Sequence, residues 1–102
     1  MRQATLAVGI AALVAAGYDG ASPEIAGALS YMKSQQATSG GFLSWGSTNA
    51  DTDSWAIGAI VAVGGDPTGP EWTTESGDTP VDDLVGFQAE DGSYYWQAGN
   101  PG

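Results

Sequence analysis

Residues 10–19 read IAALVAAGYD, and residues 57–66 read IGAIVAVGGD. With one segment placed over the other, Ile, Ala, Val, Ala, Gly and Asp recur in register, and Leu13 is replaced by Ile60. An internal repeat with a period of this size indicates stacked supersecondary units rather than one irregular domain. The decisive feature of the chain is therefore a duplication.

Two further pairs of segments occur in the same order in both halves. Residues 31–35 (YMKSQ) correspond to residues 84–88 (LVGFQ), and residues 40–45 (GGFLSW) correspond to residues 91–96 (DGSYYW), with small shifts. The shared order is an apolar helix, a Gly-Asp turn, a helix led by proline, a glutamine, a glycine-aromatic loop and a tryptophan. We predict one domain made of two repeats.

The first repeat, about residues 4–51, is predicted to be a helical hairpin. Its first helix has apolar residues at positions i, i+4, i+7 and i+8, which form one stripe, and a glycine follows as a stop signal. Ser22 is the expected N-cap of the second helix, with a proline in its first turn. The residues in these roles are Leu6, Ile10, Leu13, Val14 and Gly17 in the first helix, and Ile25, Leu29 and Met32 in the second.

The second repeat, about residues 52–98, follows the same pattern. The third helix is predicted to begin at residues 51–53 and to end at residues 64–67. Thr79 and Asp82 are predicted to form a near capping box at the start of the fourth helix. The third helix is expected to carry Trp55, Ile57, Ile60 and Val61. On the fourth helix, the apolar side chains of Val81, Leu84 and Val85 are expected to face the core. Asp82 and Asp83 are expected to face solvent. The chain is thus predicted to be all-α, with loops at 37–50 and 64–78.

The two ends of the chain admit different interpretations. Met1 and Arg2 followed by the apolar run 4–16 resemble a signal peptide, but the repeat favours a buried helix, and the run is too short to span a membrane. Residues 99–102 look like a loop that has been cut short. We therefore expect no membrane span and a fragment of a longer protein.

Charge is distributed unevenly along the chain. The net charge is −10. The part of the chain from Asp51 onward contains ten carboxylates and neither Lys nor Arg. Such a surface repels phosphate, so nucleic acid is not expected as a partner. The sequence has no Cys and no His, which excludes disulfides, thiolate and imidazole catalysis and the usual zinc ligands.

The glycine-aromatic loops carry the clearest resemblance. Residues 36–42 (QATSGGF) and 88–94 (QAEDGSY) both have the form Gln, three residues, Gly, one residue, aromatic. This form resembles the Gln–Trp repeat of squalene and hopene cyclases, within the terpenoid cyclase and protein prenyltransferase superfamily. The resemblance implies two hairpins of an α/α-toroid, with structural roles for the motif residues Gln36, Gly40, Phe42, Gln88, Gly92 and Tyr94.

A second motif bears on catalysis. Residues 51–54 (DTDS) resemble the Asp-x-Asp-Asp motif of class II terpene cyclases, in which the middle Asp is the general acid. The resemblance implies Asp53 as the acid and Asp51 as its partner, with Ser54 in place of the last Asp. The competing interpretation is that Asp51 or Asp53 caps the third helix, and we favour capping.

No cofactor or metal site is predicted. Asn49, Asp51 and Asp53 alternate as in a calcium loop, but Ser54 and Ile60 stand where that loop needs Gly and Glu, which leaves at most weak binding of a divalent cation. The missing Cys and His also exclude the zinc chemistry of prenyltransferases.

The aromatic residues are the candidates for ligand binding. Trp45 and Trp96 end equivalent loops and are expected to share an edge or cavity, and Trp55 and Tyr94 are further candidates for stacking on an apolar or aromatic ligand. The competing interpretation is that these side chains pack between the hairpins, and we favour packing.

The leading hypothesis is a non-catalytic binding or scaffold module of an extracytoplasmic or cell-surface protein, with further repeats or copies of itself as partners. The alternatives are a class II cyclase-like isomerase fragment that uses Asp53, and a self-assembling structural subunit.

Overall fold

The computed structural model describes residues 3–97, and over this range the protein is all-α, as predicted. It contains no β-strand there, only isolated bridges between loop residues. The elements are α1 (Gln3–Ala15), α2 (Pro23–Ser34), α3 (Ala50–Ala62), a 3-10 helix (Pro70–Trp72) and α4 (Pro80–Val85). Residues 1–2 and the predicted loop at 99–102 lie outside the described part. None of the described helices is long and apolar enough to cross a membrane.

The helices form two successive hairpins around a small core. Helix α1 packs against α2 and α3, and α3 packs against α4. Ala7 and Ile10 of α1 are buried in this core, which agrees with the interpretation of the N-terminal run as a core helix. The core has two clusters, one of Met32, Phe42, Ala56, Ile60 and Trp72, the other of Ala7, Ile10, Ile25 and Ala59.

Three helix starts show how the sequence sets the element boundaries. Thr79 and Asp82 form the predicted capping box, in which each side chain accepts a hydrogen bond from the other residue's backbone N–H. Ser22 occupies the predicted N-cap position of α2, but its hydroxyl makes no capping hydrogen bond. Helix α3 is capped by Asn49, whose Oδ1 accepts from the Thr52 N–H at 2.8 Å. The prediction that an aspartate caps α3 is wrong.

Two side chains of α4 face a direction other than the predicted one. Val85 is exposed, whereas Asp83 is half-buried and its Oδ2 atom is inaccessible to solvent, so the predictions for these two residues are wrong. Asp82 is exposed, as predicted. Helix α4 has only six residues, and such a short helix cannot turn a complete apolar stripe toward the core.

The two glutamine loops are closed by the same hydrogen bonds. In the first glutamine loop (residues 36–42), Gln36 Nε2 donates to the Gly40 carbonyl at 3.0 Å. In the second glutamine loop (residues 88–94), Gln88 Nε2 donates to the Gly92 carbonyl, also at 3.0 Å. Gly40 and Gly92 have φ angles of +95° and +93°, a conformation that favours glycine. The two loops therefore correspond with the Gln36-to-Gln88 spacing, and the predicted pairings of residues 31–35 with 84–88 and of residues 40–45 with 91–96 are each displaced by one residue.

Candidate functional site

The segments that follow the two glutamine loops meet at the start of α3. The Ala50 N–H donates to the Trp96 carbonyl at 2.8 Å, and so satisfies a backbone donor in the first turn of the helix. Gln97 Nε2 donates to Ser47 Oγ at 2.9 Å. These bonds fasten residues 96–97 to the segment that leads into α3, and they bring together two loops about fifty residues apart in sequence.

Trp45 and Trp96 line one cavity of about 270 Å³ at this junction. Trp45 is 84% exposed and Trp96 is 39% exposed, so both indole rings are accessible from solvent. The other lining residues are polar: Ser44, Asn49, Asp51, Thr52 and Gln97. The cavity thus combines two aromatic surfaces with hydroxyl, amide and carboxylate groups.

The backbone at Trp45 has an unusual conformation. Its φ angle is +58°, and it is the one non-glycine residue with positive φ among residues 3–97. A bulky side chain in the left-handed region costs on the order of 1–3 kcal/mol, and such conformations are concentrated at binding sites. The conformation is held in a tight turn, in which Ser44 and Ser47 form an antiparallel bridge.

Charge at the cavity is negative. Asp51 is an exposed carboxylate in the first turn of α3, and no Lys or Arg among residues 3–97 lines the cavity. The amide oxygen of Asn49 is already engaged by the Thr52 N–H. The site therefore suits neutral or cationic ligands and disfavours anions.

The other two predicted aromatic candidates do not line this cavity. Trp55 is 50% exposed on α3, and Tyr94 is 47% exposed, where it bridges Gln88 in the second glutamine loop. The structure brings Trp45 and Trp96 together and leaves Trp55 and Tyr94 elsewhere.

Asp53, the proposed acid, is completely buried. Its Oδ1 atom accepts a hydrogen bond from the Phe42 N–H at 3.1 Å, and its partner carboxyl is Asp83 of α4 rather than Asp51. Burial, followed by the hydrogen bond and charge of Asp83, raises the pKa of Asp53 to about 9. Asp53 is therefore a neutral carboxylic acid at pH 7.

Gly41 is the residue of the first glutamine loop that lies against both carboxyl groups. A methyl group at this position would overlap the Asp83 carboxylate and lie 2.8 Å from Asp53 Oδ1. Sequence reasoning missed Asp83, since it is thirty residues from Asp53 and lies on another helix. The available signal was the pair Gly40-Gly41, because consecutive glycines often mark a close approach of other groups to the backbone.

Asp83 also lines an open cleft of about 570 Å³. Its lining residues are Ser39, Ser47, Thr48, Asp78, Asp82, Asp83, Gly86, Phe87 and Gln97. Asp53 lines neither this cleft nor the tryptophan cavity. The acid therefore has no direct access to a bound molecule in either place.

The calcium-like residues do not converge. Asn49 caps α3, Asp53 points into the core and Asp51 is exposed. Within residues 3–97, no group of three or more carboxylates is placed to hold a metal ion.

Comparisons with protein-family models, with curated proteins and with solved structures found no match for the chain.

Proposed function

We propose that the protein is a non-catalytic binding module whose ligand occupies the cavity between Trp45 and Trp96. The observation that carries the proposal is the convergence of these two rings on one cavity, one from the segment that follows each glutamine loop. Exposed aromatic rings in a concave site are the usual platform for a ligand with a flat apolar face.

The size and lining of the cavity favour a small polyhydroxylated ligand such as a sugar ring. At about 270 Å³ the cavity falls just below the range of about 300–1,000 Å³ that holds drug-sized molecules, so one ring is the appropriate scale. Five of the seven described residues that line the cavity are polar, while most of its exposed lining surface is apolar, so a ligand with one apolar face and hydroxyl groups at its edge suits it better than an extended hydrocarbon. Hydroxyl groups of a sugar can pair with Asp51 and Gln97 while a ring face stacks on tryptophan.

A titration of methyl glycosides monitored by tryptophan fluorescence tests the proposal. Saturable quenching is expected for the wild-type protein, and a loss of binding of about tenfold or more for Trp45→Ala and Trp96→Ala. Trp55→Ala is the matched control, since Trp55 is exposed but lies outside the cavity. Equal binding by all three variants would contradict the proposal.

The proposal has two further parts. The first is that the two hairpins are repeats of an α/α-toroid, and the second is that they belong to a longer protein that is extracytoplasmic or on the cell surface. The paired loop geometry and the helical hairpins support the first part. The acidic surface, with a net charge of −10, supports the second. Protease accessibility of the protein on intact cells tests the location: protection from protease until the cells are lysed would oppose it.

The environment of Asp53 favours a second candidate, a cyclase-like general acid. A buried carboxyl with a pKa of about 9 keeps the proton that such an acid must donate. Asp53 lines neither the open cleft nor the tryptophan cavity, so it does not reach a substrate bound in either place, and this candidate is the weaker one. A cyclised product from a linear terpenoid precursor, lost in Asp53→Asn but kept in Asp51→Asn, would establish it and overturn the non-catalytic proposal.

A further inference from the structure

The first glutamine loop is covered by a segment of the second repeat. Gln36 Nε2 donates to the Trp72 carbonyl at 2.7 Å, and the Phe42 and Trp72 rings pack edge to face with centroids 5.7 Å apart. The Thr79 backbone crosses Gly40 so closely that no side chain fits there. The covering segment thus supplies a carbonyl acceptor, an aromatic ring and a close backbone approach.

The second glutamine loop repeats the covered surface without its cover. Gln88 is exposed, and Tyr94, which corresponds to Phe42, is 47% exposed where Phe42 is 0% exposed. Around Gly92 the nearest group to an added methyl would be Gln88 Nε2, at 3.9 Å, from within the loop itself. The second loop therefore has the same backbone geometry as the first. No described residue covers it in the way that the covering segment covers the first loop.

Charge distinguishes the two loops. Thr38 and Ser39 of the first loop are replaced by Glu90 and Asp91 in the second, and both of these are exposed. Two hydrogen bonds from Ser93 to Asp91 Oδ1 lower the pKa of Asp91, so this carboxylate is ionised near pH 7. The second loop therefore presents negative charge beside its tyrosine.

We propose that the second glutamine loop is a docking surface for a segment of a partner protein that carries an aromatic side chain next to basic residues. The aromatic ring packs on Tyr94 as Trp72 packs on Phe42, a backbone carbonyl accepts from Gln88, and basic side chains face Glu90 and Asp91. The chain's own covering segment is a poor occupant in trans, because residues 68–81 carry three carboxylates and no cation.

Val85 adds an apolar contact to this surface. In the first repeat the corresponding residue is Lys33, whose Nζ lies 4.7 Å from the centroid of the Trp72 ring. In the second repeat the exposed Val85 takes that place, so an aromatic ring over the loop buries apolar surface that now faces solvent. The aromatic part of the partner is thus recognised by Tyr94 and Val85, and its charge by the loop carboxylates.

Two peptides of the sequence of residues 68–81 test the proposal on the full chain labelled with ¹⁵N. One has the native sequence, and the other carries Glu71→Lys, Glu75→Lys and Asp78→Lys. The lysine peptide is expected to shift the amide resonances of residues 88–94 and to bind several-fold more tightly than the native peptide, with an affinity that falls as salt rises. Tyr94→Ala is expected to weaken binding, and Tyr31→Ala, which removes an exposed tyrosine of α2, is the control.

Three results would overturn the proposal. The lysine peptide with Trp72→Ala separates stacking from general charge attraction, and equal binding of both lysine peptides would contradict the aromatic contact. Absence of shifts in residues 88–94 with either peptide would contradict the docking surface. Tighter binding of the native peptide would contradict a basic partner and would point to a second copy of this chain.

Discussion

At the scale of single residues, the buried carboxyl group of Asp53 has the largest consequence for stability. Asp53 Oδ1 accepts from the Phe42 N–H, while the Oδ2 atoms of Asp53 and Asp83 are buried with no donor among the described residues. A proton kept by Asp53 supplies a donor next to Asp83, which is consistent with the raised pKa of Asp53. The pair joins α3, α4 and the first glutamine loop.

This pair predicts a contribution to stability that is larger in acid than near neutral pH. The pKa of Asp53 is about 9 in the folded chain against 3.8 for an unperturbed aspartate, so from about pH 4 to pH 9 the folded state holds a proton that the unfolded state has lost. The free energy of unfolding is thus highest below pH 4 as far as this group is concerned. It falls as pH rises toward 9, by at most about 1.4 kcal/mol per pH unit.

Urea unfolding of Asp53→Asn tests the prediction. The variant is expected to lose the slope between pH 5 and pH 8 and to be more stable than the wild type at pH 8, because the amide needs no proton to stay neutral. Asp51→Asn is the control, since Asp51 is exposed. The same slope in the wild type and in Asp53→Asn would refute the assignment.

The turn at Trp45 predicts a conflict between stability and binding. Because its φ angle is +58°, Trp45→Gly is expected to be more stable than Trp45→Ala by about 1 kcal/mol, as only alanine keeps a Cβ in the left-handed region. Both variants lack the indole ring, so both are expected to lose ligand binding equally. Thermal unfolding of the two variants makes the comparison, and a more stable alanine variant would contradict the strain.

At the scale of elements, two helix starts with the same sequence pattern differ in hydrogen bonding. Thr79 accepts from the Asp82 N–H and Asp82 accepts from the Thr79 N–H, whereas Ser22 Oγ is buried without a partner. Thr79→Ala is therefore expected to lower the free energy of unfolding by about 1 kcal/mol. Ser22→Ala is expected to leave it unchanged or slightly raised, because it removes an unsatisfied hydroxyl. Denaturant titration of both variants checks this, and a larger loss in Ser22→Ala would contradict the assignment of the caps.

The elements that were predicted correctly depend on local signals. The stripe through Ile10 and the stripe through Ile25 and Met32 are spaced at helical intervals, and all three side chains are buried. The N-cap of α3 was assigned wrongly because residues 49–53 contain four side chains able to accept from backbone N–H groups. Only the position of the first turn, which begins at Ala50, selects Asn49 among them.

At the scale of the whole molecule, the features that sequence reasoning missed are contacts between repeats. The sequence of α4 alone predicts a solvent-exposed Asp83, yet Asp53 of α3 and Gly41 lie against its carboxyl group. The shared cavity of Trp45 and Trp96 agrees with the duplication, because each residue follows a glutamine loop and stacked repeats bring such segments close together. The duplication thus predicts which parts correspond, and packing between the copies determines which of them are covered.

The most direct test of the account is a ¹H–¹⁵N spectrum of the four indole N–H groups during titration with a methyl glycoside. The account predicts that the resonances of Trp45 and Trp96 shift together with one dissociation constant, because both rings line the same cavity. Trp55, which is exposed elsewhere, and Trp72, which is buried in the core, are expected to stay in place. Shifts of Trp55 alone, or no shift of Trp45 and Trp96 with any sugar at millimolar concentration, would contradict the proposed binding module.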